Sequence, residues 1–314
     1  MKNFFIIIAL ILGLLIVGIA VFALTFDANR YKGALITKLE ESMGKDVRIG
    51  NISLSLLPGF GVEARDIVVK DKDKTWDNAL LKAKSLNVSV KILPLLKKDI
   101  QIQRLFVPEL TVNPGNSPSF RCGLDLNMRI LINSLSQDDM LKTLSARGNI
   151  RLQNAVLDNM NVLKVALDKL NMLPGLVRKL KDNLPEKYSG LLSRNYTAFK
   201  PMNAGFQIKD NRIYLDKLLV ESDAFYFTGK GSIGMDQDIE ISADLFIPKD
   251  LSDAFTNTAS ELKYLTDNKG IITMPLEISG KAPNVSVMPN LEYVIKKLFV
   301  SKGQELLNRL LKGR

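Results

Sequence analysis

The sequence predicts an α+β chain, mostly β, with strand-rich domains behind an apolar N-terminal helix. Three observations predict it. Phe4–Leu24, "FFIIIALILGLLIVGIAVFAL", is an uncharged apolar run. From Lys45 onward the apolar period drops from 3.6 to 2 and stays there over most of the 314 residues. A few later stretches return to helical spacing, so helices flank the strands rather than alternate with them.

The first run holds about 21 residues, enough at about 1.5 Å of rise each to cross a hydrocarbon core about 30 Å thick. A cleaved signal peptide competes, because "VFA" ends at Ala23 and Lys2 precedes the run. The run exceeds the usual h-region of about 7–15 residues, so it reads as a retained anchor, residues 1–26, with the bulk of the chain translocated. In "DANRYKGALITKLEESMG", Asp27 is placed as an N-cap and Gly44 as a C-terminal cap. Tyr31, Leu35, Leu39 and Met43 share one face of the short amphipathic helix between them.

Strand patterns dominate residues 45–112. Val47, Ile49, Ile52, Leu54 and Leu56 alternate up to Pro58, with a slip at "GN" that predicts a bulge or tight turn, and Val62, Ala64, Ile67 and Val69 resume after "LPGFG". Leu86, Val88 and Val90, then Ile100, Ile102, Leu105 and Val107, continue the pattern. The turn-rich "NPGNSP", Asn113–Pro118, marks a boundary, giving domains 27–113 and 114–314. Beyond it come further strands, flanked by helical stretches at 161–181, 250–265 and 290–312.

Residue usage removes most chemistries. The chain has no histidine and one cysteine, which excludes the common zinc sites, Ser-His and Cys-His nucleophile pairs, haem ligation by histidine and an internal disulfide. Cys122 reads as a small apolar filler. The net charge of +10 is scattered rather than clustered and aromatics are 7%, which argues against nucleic acid and leaves surface solvation or anionic lipid headgroups. Gly229, Gly231 and Gly234 match G-x-G-x-x-G, but "MDQDIEISADLFI" after them alternates at period 2, so the helix that receives a pyrophosphate is absent and the glycines read as turn and edge residues of a hairpin. "DKDKTWDNALLK" fails as a calcium loop because Trp76 takes the glycine position and Lys82 that of the bidentate acid. No catalytic constellation, metal site or cofactor site emerges, and an enzyme is not expected.

What remains is the alternation. A sheet apolar on one side must cover that side, since about 25 cal/mol is gained per Å² of apolar surface removed from water. The plain outcome is burial under the chain's own helices; the functional one leaves part of the face to acyl chains.

Three blocks then carry a family resemblance. These are "RYKGALITKLEESMGKDVRIGNISLSLLPGFGVEARDIVVKD", "LLKAKSLNVSVKILPLLKKDIQIQRLFVPELTV", and the run from "TLSARGNIRLQNAVLDNMNV" through "FTGKGSIGMDQDIEISADLFIP" to "MPLEISGKAPNVSVMPNL". Together they resemble the AsmA family of bacterial envelope proteins, in a short form without the long central β-rich section. The resemblance implies a twisted antiparallel sheet curved into an apolar trough, anchored in the bacterial inner membrane with its body in the periplasm. It also implies a non-enzymatic role in phospholipid movement and outer-membrane biogenesis. The expected partners are membrane phospholipids and other envelope proteins, and the alternative is an assembly scaffold that contacts outer-membrane protein precursors through an exposed sheet edge. Phe206, Ile208, Phe225, Phe227, Ile239, Ile241, Leu245, Met274, Leu276 and Ile278 are the expected lipid-lining face.

Overall fold

Runs that alternate at period 2 over ten or more residues favour long paired strands, and such strands are present throughout. The structure, a computed structural model, describes residues 27–55, 60–91, 101–113, 115, 118–131, 145–170, 175–234, 236, 238–281 and 284–298. The expected anchor, 1–26, lies outside the described residues, as do 56–59 of the "LPGFG" turn and 299–314. Among the described residues no helix is long and apolar enough to cross a membrane. The chain divides into two compact units, Met1–Thr111 and Val112–Arg314.

In the first unit the Asp27 carboxylate accepts the Asn29 N–H at 3.0 Å and starts a 3-10 turn, Ala28–Tyr31. Helix α1, Lys32–Met43, follows and ends where Gly44 turns left-handed at φ +65°, its N–H donating to the Glu40 carbonyl at 2.9 Å. The buried stripe differs from the expected one. Ile36 and Leu39 pack on the sheet with Ala28, whereas Tyr31, Leu35 and Met43 point to solvent. Glu40 explains the rotation, because its Oε1 accepts the Val47 N–H at 2.9 Å and so turns that side of the helix to the strands.

The sheet of this unit runs β1 (Asp46–Arg48), β3 (Gly61–Lys70), β4 (Leu81–Val90), β5 (Ile102–Val112), with β2 (Asn51–Ser55) also on β3. The slip at "GN" is a paired kink. Gly50 sits against Asp66, which adopts φ +53°, and the Gly50 N–H donates to the Arg65 carbonyl at 2.9 Å. Both strands change parity there, so Val47, Ile49 and Ile52 reach the same small core as Ala64, Ile67 and Val69. Trp76 in the following loop lies under the Arg48 guanidinium at 4.1 Å and the Lys70 ammonium at 5.0 Å, while Lys70 pairs with Asp46.

The second unit has β6 (Phe120–Leu131), β7 (Ser145–Leu157), β8 (Thr197–Ala198), β9 (Met202–Lys209), β10 (Arg212–Glu221), β11 (Tyr226–Gly234), β12 (Asp238–Ile247), β13 (Ile272–Lys281) and β14 (Asn284–Pro289). The order is β6-β7-β9-β10-β11-β12-β13-β14, with β8 on β7, and every pairing with a defined register in this unit is antiparallel. At one end of these strands Asp210 and Asn211, both at positive φ, form a two-residue hairpin turn between β9 and β10. At the other end two of the connections are helical, while residues 222–225 turn tightly between β10 and β11, the Ser222 N–H donating to the Phe225 carbonyl at 2.8 Å. Helices α2 (Val162–Asp168), α3 (Leu176–Asn183) and α4 (Glu186–Ser189) separate β7 from β9, and α5 (Lys249–Thr258) with the 3-10 turn Ser260–Leu265 separates β12 from β13. A helix over residues 291–298 follows β14.

These helices fold back over one end of the sheet. Leu163, Ala166, Leu180, Leu251, Phe255, Leu262 and Val294 close a core with Phe225, Leu245, Ile247, Ile272, Met274 and Leu276. Two polar clasps hold the layer. Ser252, fully buried, donates to the Ile247 carbonyl at 2.7 Å and accepts the Ile272 N–H at 3.0 Å, stitching α5 across β12 and β13. Asn161 caps α2 through the Lys164 N–H at 2.9 Å and donates to the Leu191 and Arg194 carbonyls at 2.7 and 3.1 Å.

Gly229 and Gly231 are neither turn nor edge residues as expected: both lie inside β11, between β10 and β12, and only Gly234 ends the strand. A Cβ on Gly231 would sit 2.3 Å from the Glu240 carbonyl oxygen and 2.8 Å from Ile241 Cγ1, so glycine lets β12 approach and Ile241 fold over the β11 backbone. β12 follows directly, which agrees with the expectation of no helix after this motif.

Candidate functional site

Residues directly opposite in an antiparallel register share a face. Following the registers across the second unit gathers Ile150, Ala204, Phe206, Ile208, Ile213, Leu215, Val220, Phe227, Ile233, Ile239, Ile241, Leu245, Met274, Leu276, Ile278, Val285 and Val287 on one side of the sheet. The opposite side carries Arg147, Arg151, Gln207, Tyr214, Lys230, Glu240, Ser242 and Glu277. One face is therefore apolar from β7 to β14, and the ten residues chosen from the sequence all fall on or continue it.

The structure divides those ten. Phe225, Leu245, Met274 and Leu276 are 0–2% exposed and belong to the helix-covered core; Phe227 is half-buried and packs against it. These five are occupied by the chain's own side chains. Phe206 is also buried, at 6% exposure, but between Gly148 and Leu215 in the sheet rather than under the helices. Ile208, Ile239, Ile241 and Ile278 are half-buried and lie outside the packed cluster, toward the tight-turn end. Sequence reasoning missed Ile213, Ile233 and Val285, which extend this uncovered part; Val285 is 37% exposed. The signal that finds them is the register, which pairs Ile213 with Ile233 and Ile208, and Val285 with Gly280.

Three shallow clefts lie along the same strands, with volumes of about 580, 560 and 830 Å³. Their linings are mixed rather than greasy. Ile241 and Ile278 share the second with Lys230, Glu240, Ser242 and Glu277, and Phe206 shares the third with Arg129, Arg147, Asn149 and Gln207. The rim at the tight-turn end is set by ion pairing on the polar side: the Arg212 guanidinium donates to Asp238 at 3.1 and 3.2 Å and to the Ser232 hydroxyl at 3.0 Å.

Arg121 grips Asp158 through two hydrogen bonds of 2.7 and 3.0 Å, which hold the Asp158 carboxyl below the usual carboxylate range and raise the guanidinium further. Cys122 beside it is buried, and burial pushes its thiol up to about 11, so it stays protonated and inert near neutrality, in keeping with a filler. Among the described residues no group of three His, Cys, Asp or Glu side chains is placed to hold a metal ion.

No curated protein and no solved structure matches the chain. The sequence pattern of the AsmA family does match, over residues 1–113, which takes in the apolar N-terminal run, α1 and the strands β1–β5. The likeness to the AsmA family thus covers residues 1–113, the first unit, and not the greater part of the chain.

Proposed function

We propose that this protein is a non-enzymatic, membrane-anchored lipid-binding protein of the cell envelope, which takes phospholipid acyl chains on the uncovered half of the second unit's apolar face. The single observation that carries the reading is the division of that face: helices close one end of it, and Ile208, Ile213, Ile233, Ile239, Ile241 and Ile278 remain half-buried at the other. Acyl chains would lie against those isoleucines while headgroups stay at the polar rim, so binding and transfer need no bond chemistry. The match to the AsmA family over residues 1–113 supports an envelope role. Placement in the bacterial inner membrane, by residues 1–26 and with the body in the periplasm, is part of the same proposal, as are phospholipid movement and outer-membrane biogenesis.

A test is photo-crosslinking of the full chain in its native membrane from positions 241 and 278. Lipid adducts are the expected result. Adducts to outer-membrane protein precursors, or none, would overturn the reading and favour an assembly scaffold. That rival has one observation of its own, β14 standing last in the strand order with Val285 and Met288 exposed, where an added strand could pair. Native mass spectrometry of the gently purified chain supplies the second readout, with co-purified phospholipid expected.

A further inference from the structure

On the polar side of the second unit's sheet, β6, β7 and β9 gather positive charge without a counter-charge. Arg129 stands directly opposite Arg147 in the β6–β7 register, and Arg147 directly opposite Gln207 in the β7–β9 register. Directly opposed residues hold their Cβ atoms about 5 Å apart, so like charges there repel. Elsewhere in the same sheet an arginine is met by an acid, Arg121 by Asp158 and Arg212 by Asp238. Among the described residues neither Arg129 nor Arg147 has such a partner. Arg147 donates to the Gln207 Oε1 at 3.3 Å, and both arginines are exposed.

Beside them is a glycine that neither backbone nor packing requires. Gly205 lies inside β9, opposite Asn149 of β7. It is not in the left-handed region, and a Cβ added to it would meet nothing nearer than the Asn149 Oδ1 at 3.9 Å. Gly148 is the contrast, since a Cβ there would come 2.1 Å from the Asn127 carbonyl oxygen. A glycine inside a strand weakens it, and one use of such a position is to let a ligand approach the backbone. Gly205 is part of the cleft of about 830 Å³, the largest of the three along these strands, which Arg129, Arg147, Asn149 and Gln207 also line. Asp216 is the one acid of that lining.

Two neighbouring guanidinium groups present two forks of N–H donors, and a carboxylate, with two oxygens, satisfies one fork. A phosphate group has oxygens for both. We propose that this cleft binds a phosphate group, held between Arg129 and Arg147 over Gly205, with the Asn149 amide as a further donor. A free phosphate ion and the headgroup of a lipid share that chemistry. The site lies on the side of the sheet opposite the apolar face, so it stands whether or not acyl chains bind there.

The test is isothermal titration calorimetry of the full chain in an uncharged glycoside detergent, with inorganic phosphate as the free source and dioctanoyl phosphatidic acid as the lipid source. Saturable binding of at least one is expected, weakened about tenfold by Arg147→Gln through the loss of a charge-assisted contact. Gly205→Val fills the hollow with a strand-favouring side chain, leaves every charge in place, and should weaken binding comparably. Asp216→Asn should tighten it. Arg65→Gln, an equal loss of charge at an exposed arginine of the first unit, should leave it unchanged. Phosphatidic acid bound in an Arg147-dependent way without inorganic phosphate assigns the site to a headgroup, and the reverse assigns it to a free ion. The proposal is overturned if neither ligand binds, if Arg65→Gln weakens binding as much as Arg147→Gln, or if the lipid binds equally well to Arg147→Gln, which would seat it on the apolar face instead. Unchanged urea midpoints establish that the variants fold; where Gly205→Val shifts the midpoint, Arg129→Gln repeats the test without altering a strand backbone.

Discussion

The two ends of the apolar face in the second unit are made of the same kinds of residue and behave differently. At the helical end Leu245, Ile247, Ile272 and Met274 are 0–1% exposed; at the tight-turn end Ile239, Ile241 and Ile278, on the same strands, are half-buried. Nothing in the strands themselves separates the two. Among the described residues the difference comes from the connections: two of those at one end contain α2–α5, which fold back as a lid, while the Asp210–Asn211 turn at the other has nothing to fold back. Among the described residues one face thus serves as core under the helices and stays half-buried at the other end.

Truncating the closed end gives the largest expected effect. Leu245→Ala leaves a cavity in the core that Leu245 shares with Phe255, Leu262 and Met274, and should cost about 3 kcal/mol, seen as a lower urea midpoint. Ser252→Ala comes next, because the Ile272 N–H loses its acceptor inside the core; about 1–3 kcal/mol is expected in the same assay. At the open end Ile241→Ala should cost only about 1 kcal/mol or less, since the side chain is already half in water, yet it should reduce lipid adducts from position 278. If Ile241→Ala proved as costly as Leu245→Ala, the open end would be core, and the contrast would fail.

The smallest effect lies away from the face. The Asp158 carboxyl is held below its usual range by Arg121, so the pair's contribution is fully present above the unfolded value near 3.8 and is lost as pH falls through the lower folded value. Asp158→Asn should therefore narrow the stability gap between pH 7 and pH 3, modestly because both side chains are partly solvated. An unchanged gap in denaturant titrations at the two pH values would show that the pair is not coupled to folding.

Local features of the chain were legible where one residue type has one physical use. Gly44 ends α1 in the left-handed region, the slip at "GN" is a kink, and period-2 runs such as Ile239–Ile247 are strands. The α1 stripe was read from spacing alone and came out turned, because a bond from Glu40 to the Val47 backbone decides which side meets the sheet. Gly229 and Gly231 look like turn residues in a linear chain; only the neighbouring strand, close enough to strike a Cβ, explains them.

The same limit applies to the site. Alternation told which residues share a face, since side-chain direction along a strand is a local property of the backbone. It could not tell Leu245 from Ile241, four positions apart in one strand and alike in character. Which of them is covered depends on where helices inserted between β7 and β9 and between β12 and β13 come to rest, and that is a matter of long-range packing. The chain's alternating pattern thus defined an apolar face, and the folded arrangement of its helices set how much of that face is left for anything else.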